Sequence, residues 1–320
     1  MRKAIILVLL LFFSLLLVAG FSFYKLKQPN DLSQEVGFVV EKGASVRQIA
    51  GDLKKENIIN SPLIFRIVCR MLGVDKKLRA GEYLIAPKSN MLEVADKLLR
   101  GEVFYRKITF PEGLTSAQIR EILENEENLS GDITTDIPEG SVLPETYTFS
   151  KGDSRDSIVL QAQKAMQKLL NDLWQKNSVD FLSDKNQLLV LASIIEKETG
   201  VPEERFDVAA VFVNRLRKGM MLQTDPTVIY AITKGEKDLG RPLLKKDLEF
   251  ESPYNTYKNY GLPPAPICNP GRAAIEAAVN PSDVDYLYFV ASGHGGHRFA
   301  KNLSEHNQNV VEYRKIIKNN

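Results

Sequence analysis

The sequence predicts an α+β protein, in which a transmembrane helix is followed by a small module and a larger domain that both mix helices with short strands. Three observations lead to this prediction. An unbroken apolar run lies near the N-terminus, a strand–turn–helix pattern recurs three times between residues 38 and 123, and an apolar helix over residues 188–195 leads into two glutamates. Extended and helical segments therefore alternate along both halves of the chain.

The apolar run covers residues 4–23, and two cations, Arg2 and Lys3, precede it. About 20 apolar residues are what a helix needs to cross the hydrocarbon core. Cations on its N-terminal side predict a cytoplasmic N-terminus and an exported body. We expect an uncut anchor over residues 1–24, followed by a polar stalk over 25–35. The alternative is a signal peptide cleaved close to Ala19, where small residues stand.

Composition narrows the classes of function. The chain of 320 residues has 26% charged residues and a formal net charge of +2. This near-neutral balance argues against a nucleic-acid binder, which concentrates basic residues on one face. The length beyond the stalk suffices for two domains, and we place them at residues 36–103 and 104–320. The two cysteines, Cys69 and Cys268, are expected to be buried thiols.

The threefold pattern consists of an extended run, a Ser, Thr or Asn that can cap a helix, and apolar residues at three- and four-residue steps. The extended runs cover residues 38–43, 83–87 and 108–113. A further helix is predicted over 58–72. Residues 38–101 should therefore form a strand–helix–helix–strand unit followed by a helix.

Further along, the sequence predicts a series of simpler elements. They are an acidic loop over 125–140, a helix over 156–174, a linker over 178–183, a strand over 286–291 and a last helix over 305–317.

The helix over 188–195 is apolar on almost every side and should be buried. Asp184 and Gln187 stand before it at capping-box spacing. Its last turn carries Glu196 and Glu198, where the negative end of the helix dipole disfavours carboxylates. Burial and the dipole would both raise the pKa of Glu196, which is what a general acid requires. The alternative is that both glutamates are solvated at a frayed end and pair with Lys197 or Arg205.

The second half of the chain carries several ordered motifs, which are Ala192-Ser-Ile-Ile-Glu-Lys-Glu-Thr199, Val213-Asn-Arg-Leu216, Leu222-Gln-Thr-Asp-Pro-Thr227, Tyr254-Asn-Thr-Tyr257, Gly261-Leu-Pro-Pro264, Tyr286-Leu-Tyr-Phe-Val-Ala291 and Gly295-Gly-His297. Together they resemble the motifs of the YceG-like family, which comprises endolytic murein transglycosylases. The resemblance covers essentially the whole chain. It implies a single-pass protein of the cell inner membrane, with a LysM-like peptidoglycan-binding module at 36–103 and a periplasmic catalytic domain at 104–320.

The resemblance also implies the chemistry. Such an enzyme cleaves the bond between N-acetylmuramic acid and N-acetylglucosamine in nascent glycan strands, leaves 1,6-anhydro ends and terminates strand elongation. The family's catalytic glutamate corresponds to Glu196. Residues expected to bind or orient the glycan are Glu198, Gln223, Thr224, Asp225, Asn255 and Tyr257. No cofactor is predicted, and the expected partners are glycan strands, the membrane through residues 4–23, and peptidoglycan synthases of the elongation or division machinery.

Three alternatives stay open at this point. The first is a zinc-dependent cell-wall hydrolase, because His294, His297 and His306 lie close together in the sequence and zinc enzymes often use three protein ligands. The second is a peptidoglycan-binding scaffold in which Glu196 does no chemistry. The third concerns the small module alone, which could be a structural α+β cap without a ligand, since amphipathic periodicity indicates burial and not binding.

Overall fold

The structure is a computed structural model that describes residues 2–74, 77–176 and 181–319. Helices and short strands alternate within these ranges, which confirms the α+β class. The helices are α1 (Arg2–Lys27), α2 (Val46–Lys55), α3 (Pro62–Leu72), α4 (Met91–Arg100), α5 (Ser116–Asn125), α6 (Arg155–Lys176), α7 (Lys185–Glu198), α8 (Arg205–Arg217), α9 (Asp225–Thr233), α10 (Arg272–Val279) and α11 (Leu303–Asn319). The strands are β1 (Val36–Val40), β2 (Gly81–Ile85), β3 (Arg106–Thr109), β4 (Thr146–Phe149), β5 (Tyr288–Ala291) and β6 (His297–Ala300).

The chain divides into two compact units. The first unit contains residues 1–106 and 148–152, and the second contains residues 107–147 and 153–320. Each unit has its own hydrophobic core.

The first unit is built on the antiparallel pair β1 and β2, in which Phe38 lies opposite Tyr83. Both rings are buried, because alternate residues of a strand point to the same face. Helices α2, α3 and α4 supply the rest of this core. The order strand, helix, helix, strand, helix is the one predicted from the sequence.

Capping residues set the helix starts in this unit. Ser45 and Asn90 form reciprocal capping boxes with Gln48 and Glu93. α3 begins at Pro62 and not at residue 58 as expected, because the Ser61 side chain caps the helix and proline favours its first position.

Helix α1 matches the predicted anchor. Its segment Ile5–Lys27 has a mean hydropathy of 2.9, is long enough to cross a membrane and is not buried by the rest of the chain. Its C-terminal end is fixed to the first unit by Asn60, whose Nδ2 donates to the Lys25 carbonyl at 3.3 Å and to Gln28 Oε1 at 2.9 Å. The protein therefore has one helix suited to a single-pass anchor among the residues described.

The core of the second unit surrounds α7. All eight residues from Leu188 to Ile195 are buried, as the apolar run predicted. α6, α8 and α10 pack against α7 or each other around this core. α10 was not predicted from the sequence, although it packs closely along α7. Cys268 is buried in the second unit and Cys69 in the first, as expected.

The remaining elements follow the sequence closely. The predicted strand over 286–291 is β5, which pairs antiparallel with β6, with Tyr288 opposite Ala300. The helices predicted over 156–174 and 305–317 are α6 and α11. Residues 126–140 contain no helix or strand. Residues 177–180, which include the start of the predicted linker, lie outside the described part of the chain.

Candidate active site

The helix that carries the two glutamates is capped differently from the expectation. Asp184 accepts hydrogen bonds from the backbone amides of Asn186 and Gln187. The Gln187 side chain accepts from the backbone N–H of Ser183 at 2.9 Å and not from that of Asp184. Asp184 therefore caps α7 as the spacing predicted, but Asp184 and Gln187 do not form the reciprocal capping box. α7 ends at Glu198, with Glu196 and Glu198 in its last turn.

Glu196 is held by a backbone amide. Its Oε2 accepts a hydrogen bond from the N–H of Gly271 at 2.9 Å, and Gly271 is the N-terminal cap of α10. Burial raises the pKa of Glu196, and the charge of Glu112 raises it further. The Gly271 hydrogen bond, Arg205 and Lys197 act in the opposite direction, but the net pKa is raised. Glu196 therefore keeps its proton to a higher pH than an ordinary glutamate does.

The alternative of a frayed, ion-paired helix end finds no support in the geometry. Glu196 forms no ion pair with Lys197 or Arg205 among the described residues, and the Lys197 ammonium donates to the carbonyl of Gly113 at 3.3 Å. Gly113 is buried in a left-handed conformation, with φ of 76°, and an added Cβ there would lie 3.6 Å from Glu196 Cγ. The turn at Gly113 thus packs closely on the Glu196 side chain.

A second carboxylate lies beside Glu196. A Cβ added to Gly271 would lie only 1.8 Å from Oε1 of Glu112, so the Glu112 carboxylate rests directly on the Gly271 backbone. Two carboxylates therefore flank one glycine at the start of α10. Sequence reasoning placed Glu112 only in a turn after an extended run and gave it no role. The Pro-Glu-Gly turn was the available signal, but nothing in its spacing connects it to Glu196.

Glu198 faces a different environment. Its Oε1 accepts a hydrogen bond from the Thr224 hydroxyl. Burial raises the pKa of Glu198 to about 7, and Asp225 adds to the rise, while the Thr224 hydrogen bond, His297 and Arg215 oppose it. Both glutamates of α7 thus have raised pKa values, but they lie among different neighbours.

A cavity of about 230 Å³ opens beside Glu198. Its polar wall consists of Glu198, Arg215, Gln223, Asp225 and Tyr257, and its apolar wall of Phe212, Leu222 and Phe289. The Tyr257 hydroxyl donates to Asp225 Oδ1 at 2.6 Å. Gln223 has φ of 50°, a left-handed conformation that non-glycine residues adopt at a cost and that occurs often at functional sites.

Thr224 and Asn255 lie behind this wall. Thr224 is 2% exposed and reaches Glu198 with its hydroxyl. Asn255 is fully buried, and its Nδ2 donates to the carbonyls of Leu248 and Phe250 at 2.9 and 2.8 Å. The structure thus brings four of the six predicted glycan-binding residues to one cavity and gives Thr224 and Asn255 supporting positions.

Comparison with known proteins identifies the family of the chain. The model of the YceG-like family matches residues 38–312. The chain belongs to the YceG-like family.

Relatives share most of the chain. A protein of Bacillus subtilis (strain 168) named endolytic murein transglycosylase is 35% identical over 318 residues, which cover 89% of this chain and 86% of that protein. A protein of the same name from Streptococcus pneumoniae serotype 2 is 28% identical over 361 residues, which cover 97% of this chain and 65% of that one. A crystal structure of a YceG-like protein from Listeria monocytogenes at 2.6 Å superposes with a TM-score of 0.54, at 32% identity over 87% of this chain and 99% of the other.

Other motif residues of this YceG-like chain hold the second unit together. Arg215 Nε donates to the Leu287 carbonyl at 2.6 Å, and its Nη1 donates to the carbonyls of Met221 and Leu222. Asn214 Nδ2 donates to the carbonyls of Val284 and Tyr286 at 2.7 and 3.0 Å. These contacts tie α8 to the chain before β5 and to the loop that carries Gln223.

The three histidines of this YceG-like chain take separate positions. His297 Nδ1 lies 2.7 Å from Glu204 Oε2, and its backbone N–H donates to Glu204 Oε1. His306 stacks on Tyr288, and His294 lies in the exposed turn between β5 and β6. Among the described residues, no group of three His, Cys, Asp or Glu side chains is placed to hold a metal ion. The turn around His297 therefore has a structural explanation.

Proposed function

We propose that this protein cleaves peptidoglycan glycan strands as an endolytic lytic transglycosylase, with Glu196 as its acid and base. The observation that carries the proposal is the state of Glu196, a largely buried carboxyl with a raised pKa, oriented by the Gly271 amide. A carboxyl group with a raised pKa keeps its proton to a higher pH and can donate it to a leaving group. The names of the relatives give the substrate class, murein.

The reaction needs only one carboxyl group. Protonated Glu196 donates its proton to the oxygen that links N-acetylmuramic acid to the next sugar, and the bond from that oxygen to C1 breaks. The positive charge is shared between C1 and the ring oxygen. The Glu196 carboxylate then accepts the proton of the muramyl 6-hydroxyl, whose oxygen bonds to C1 and closes the 1,6-anhydro ring. Glu196 ends the cycle protonated, and no water is consumed.

This route explains why the second glutamate of α7 is not required as a nucleophile. A glycosidase that uses water or a covalent intermediate places two carboxyl groups across one bond. Here the hydroxyl of the substrate replaces the second carboxyl group. Glu198, Gln223, Asp225 and Tyr257 would then bind hydroxyl and amide groups of a neighbouring sugar in the cavity that they line.

The anchor sets where this chemistry takes place. We propose that α1 crosses the cytoplasmic membrane once and leaves the second unit on its outer, periplasmic side, because Arg2 and Lys3 precede the apolar segment. A tethered enzyme of this kind would meet glycan strands as they emerge from their synthases, which are candidate partners. That the first unit is a LysM-like glycan-binding module stays a prediction, and binding of glycan by the full chain with and without substitutions in that unit tests it.

The test of the proposal compares the full-length protein with its Glu196→Gln variant on uncrosslinked glycan, with products analysed by mass spectrometry. We expect 1,6-anhydromuramyl ends from the wild type and a rate lower by about 10²- to 10⁴-fold in the variant, the range for loss of a general acid or base. The two proteins should unfold at the same temperature, because glutamine at position 196 still accepts the hydrogen bond from the Gly271 N–H.

One observation favours Glu198 as a second candidate for the acid, since its pKa of about 7 suits proton donation at neutral pH. Glu198→Gln in the same assay separates the two. A loss of turnover in Glu198→Gln with activity retained in Glu196→Gln would transfer the role to Glu198. Products with reducing ends instead of anhydro ends would indicate ordinary hydrolysis. Glycan that stays intact with the wild type and both variants would indicate that the protein is a binding scaffold and not an enzyme.

A further inference from the structure

Helix α3 has a second stripe of side chains that its own unit does not cover. Phe65, Val68 and Cys69 form its buried face. On the opposite side, exposed residues recur at three- and four-residue steps, which places them in one row along the helix. They are Leu63, Arg66, Ile67, Arg70 and Met71, in which the apolar members are 65%, 52% and 82% exposed.

The start of α2 extends this row into a shallow groove. Val46 and Arg47 of α2 join Leu63, Arg66, Ile67 and Arg70 of α3 around a volume of about 310 Å³. No acidic side chain lines the groove, and α3 contains none. Within the described ranges, the guanidinium groups of Arg47, Arg66 and Arg70 make no ion pair or hydrogen bond with the protein. Three cations and three large apolar side chains thus share one exposed face.

This combination is suited to a lipid headgroup layer. Guanidinium groups bind phosphate with paired hydrogen bonds. Helices that lie in the membrane interface place basic residues beside apolar side chains that enter the headgroup and acyl boundary. Sugars, in contrast, are bound by aromatic faces and amide groups, and the groove is lined by neither.

The position of α3 within the first unit supports the same ligand. Asn60 holds the last turn of α1 through its two hydrogen bonds, and α3 begins two residues later at Pro62. α1 also packs against α3 and α4. α1 is the helix suited to cross the membrane, and its C-terminal end is where the chain leaves the bilayer. The exposed stripe on α3 belongs to the part of the first unit that is held against this end.

We propose that this face of the first unit docks on the bilayer, with Arg47, Arg66 and Arg70 on the phosphates of anionic phospholipids and with Leu63, Ile67 and Met71 in the interfacial layer. The docking makes the anchor and the first unit one rigid attachment instead of a flexible tether. This inference does not depend on the role of Glu196.

The test uses the full chain in lipid nanodiscs, with an environment-sensitive dye on a cysteine introduced by Met71→Cys. Cys69 and Cys268 are buried, and the parent protein treated with the same dye serves as the blank. In discs that contain phosphatidylglycerol, we expect emission at shorter wavelength and quenching by spin-labelled lipids. Both effects should be weaker in discs of phosphatidylcholine alone and should decrease with salt, because the attraction is electrostatic.

Two triple variants that each remove three positive charges from the first unit are compared. Arg47→Gln, Arg66→Gln and Arg70→Gln together should abolish most of the shift and the quenching. Lys42→Gln, Lys54→Gln and Lys55→Gln remove the same charge from the same unit outside the groove and should preserve both. Equal loss in the two triple variants would reduce the effect to net charge and overturn a docking surface.

Two further arms identify the ligand. Inorganic phosphate added to the protein in neutral detergent should leave the emission unchanged, since it supplies no interface. Emission that is the same in both lipid compositions and in detergent would overturn the proposal. A shift that appears with purified glycan strands and not with anionic lipid would also overturn it and would assign the groove to glycan.

Discussion

The two units bury glutamates among different neighbours. In the first unit, Glu82 is 2% exposed and receives two hydrogen bonds of 3.0 Å from the Nε and Nη2 of Arg106. In the second unit, Glu196 is held by a backbone amide and Glu198 by a threonine hydroxyl, and neither has an ion-pair partner in the described part of the chain.

The difference separates a structural carboxylate from a reactive one. A paired arginine satisfies a buried charge and fixes it. A neutral donor orients a carboxyl group but compensates its desolvation only in part, so the pKa values of Glu196 and Glu198 are raised. The partner of a buried glutamate, more than its burial, therefore indicates what it does.

The largest loss of stability is expected when the paired charge of Glu82 is removed. Glu82→Gln should lower the free energy of unfolding by about 2–3 kcal/mol, because it leaves the Arg106 guanidinium without its counter-charge, and Arg106 is partly exposed. Urea titration of the protein in detergent measures the loss. Glu102→Gln removes the same charge from an exposed pair with Arg100 and should change stability by no more than about 0.5 kcal/mol. Equal losses of stability in Glu82→Gln and Glu102→Gln would show that the buried ion pair contributes no more than an exposed one, which would contradict a structural role for Glu82.

Replacing Glu198 by glutamine should have the opposite effect on stability and make the protein more stable. Its folded pKa of about 7 exceeds the ordinary value of 4.5, so its contribution to stability is complete below pH 4.5 and is lost as the pH rises to about 7. Glu198→Gln does not titrate and should gain stability relative to wild type as the pH rises from 4.5 to 8, by up to roughly 3 kcal/mol. Thermal unfolding across this range checks the trend, with the exposed Glu203→Gln as control. A variant that loses stability at pH 8 would contradict it.

A smaller effect concerns the charge beside Glu196. Glu112→Gln removes a group that raises the pKa of Glu196, so the protonated acid should be lost at lower pH. We expect the alkaline limb of the pH–rate profile to move to lower pH, and to move further at low salt than at high salt. Glu276→Gln removes a charge from the exposed side of α10 and should leave the limb in place. An unmoved limb in Glu112→Gln would mean that the two carboxylates act independently.

The smallest effect is expected from Gly271→Ala. The added Cβ would collide with the Glu112 carboxylate, which is the end of a flexible side chain and can move, while the Gly271 N–H remains on Glu196. Activity should persist, with the alkaline limb shifted as in Glu112→Gln but by less. The double variant should match Glu112→Gln alone, because both changes act through one carboxylate. An abolished activity would show that the backbone at Gly271 itself had moved.

Local patterns in the sequence predicted much of the fold. The caps at Ser45 and Thr115 and the apolar steps after them locate α2 and α5, because these signals depend on neighbouring residues alone. The same pattern locates α4, although its cap is Asn90 and not Ser89, the residue that the sequence pattern indicated. The early start given to α3 shows the limit. Periodicity continued back to residue 58, but Ser61 and Pro62 set the observed start.

The candidate site was predicted in part for the same reason. Glu196 and Glu198 stood out because they break a local rule about the last turn of a helix. Glu112 and Gly271 did not, since the charge effect of Glu112 on Glu196 and the hydrogen bond from Gly271 to Glu196 join residues about 75 or more positions apart in the chain. Asn255 has the polarity expected of a glycan ligand, but the loop uses its amide for its own carbonyl groups.

The sequence by itself determined the apolar N-terminal helix, the strand–helix–helix–strand–helix order of the first unit and the presence of two carboxyl groups at the end of an apolar helix, because each follows from residues close together in the chain. Only the tertiary structure decided what surrounds those groups. It placed the Gly271 amide and the Glu112 carboxylate at Glu196, and the Thr224 hydroxyl at Glu198. Proton affinity depends on desolvation and on charges within a few ångströms, and distant segments supply both.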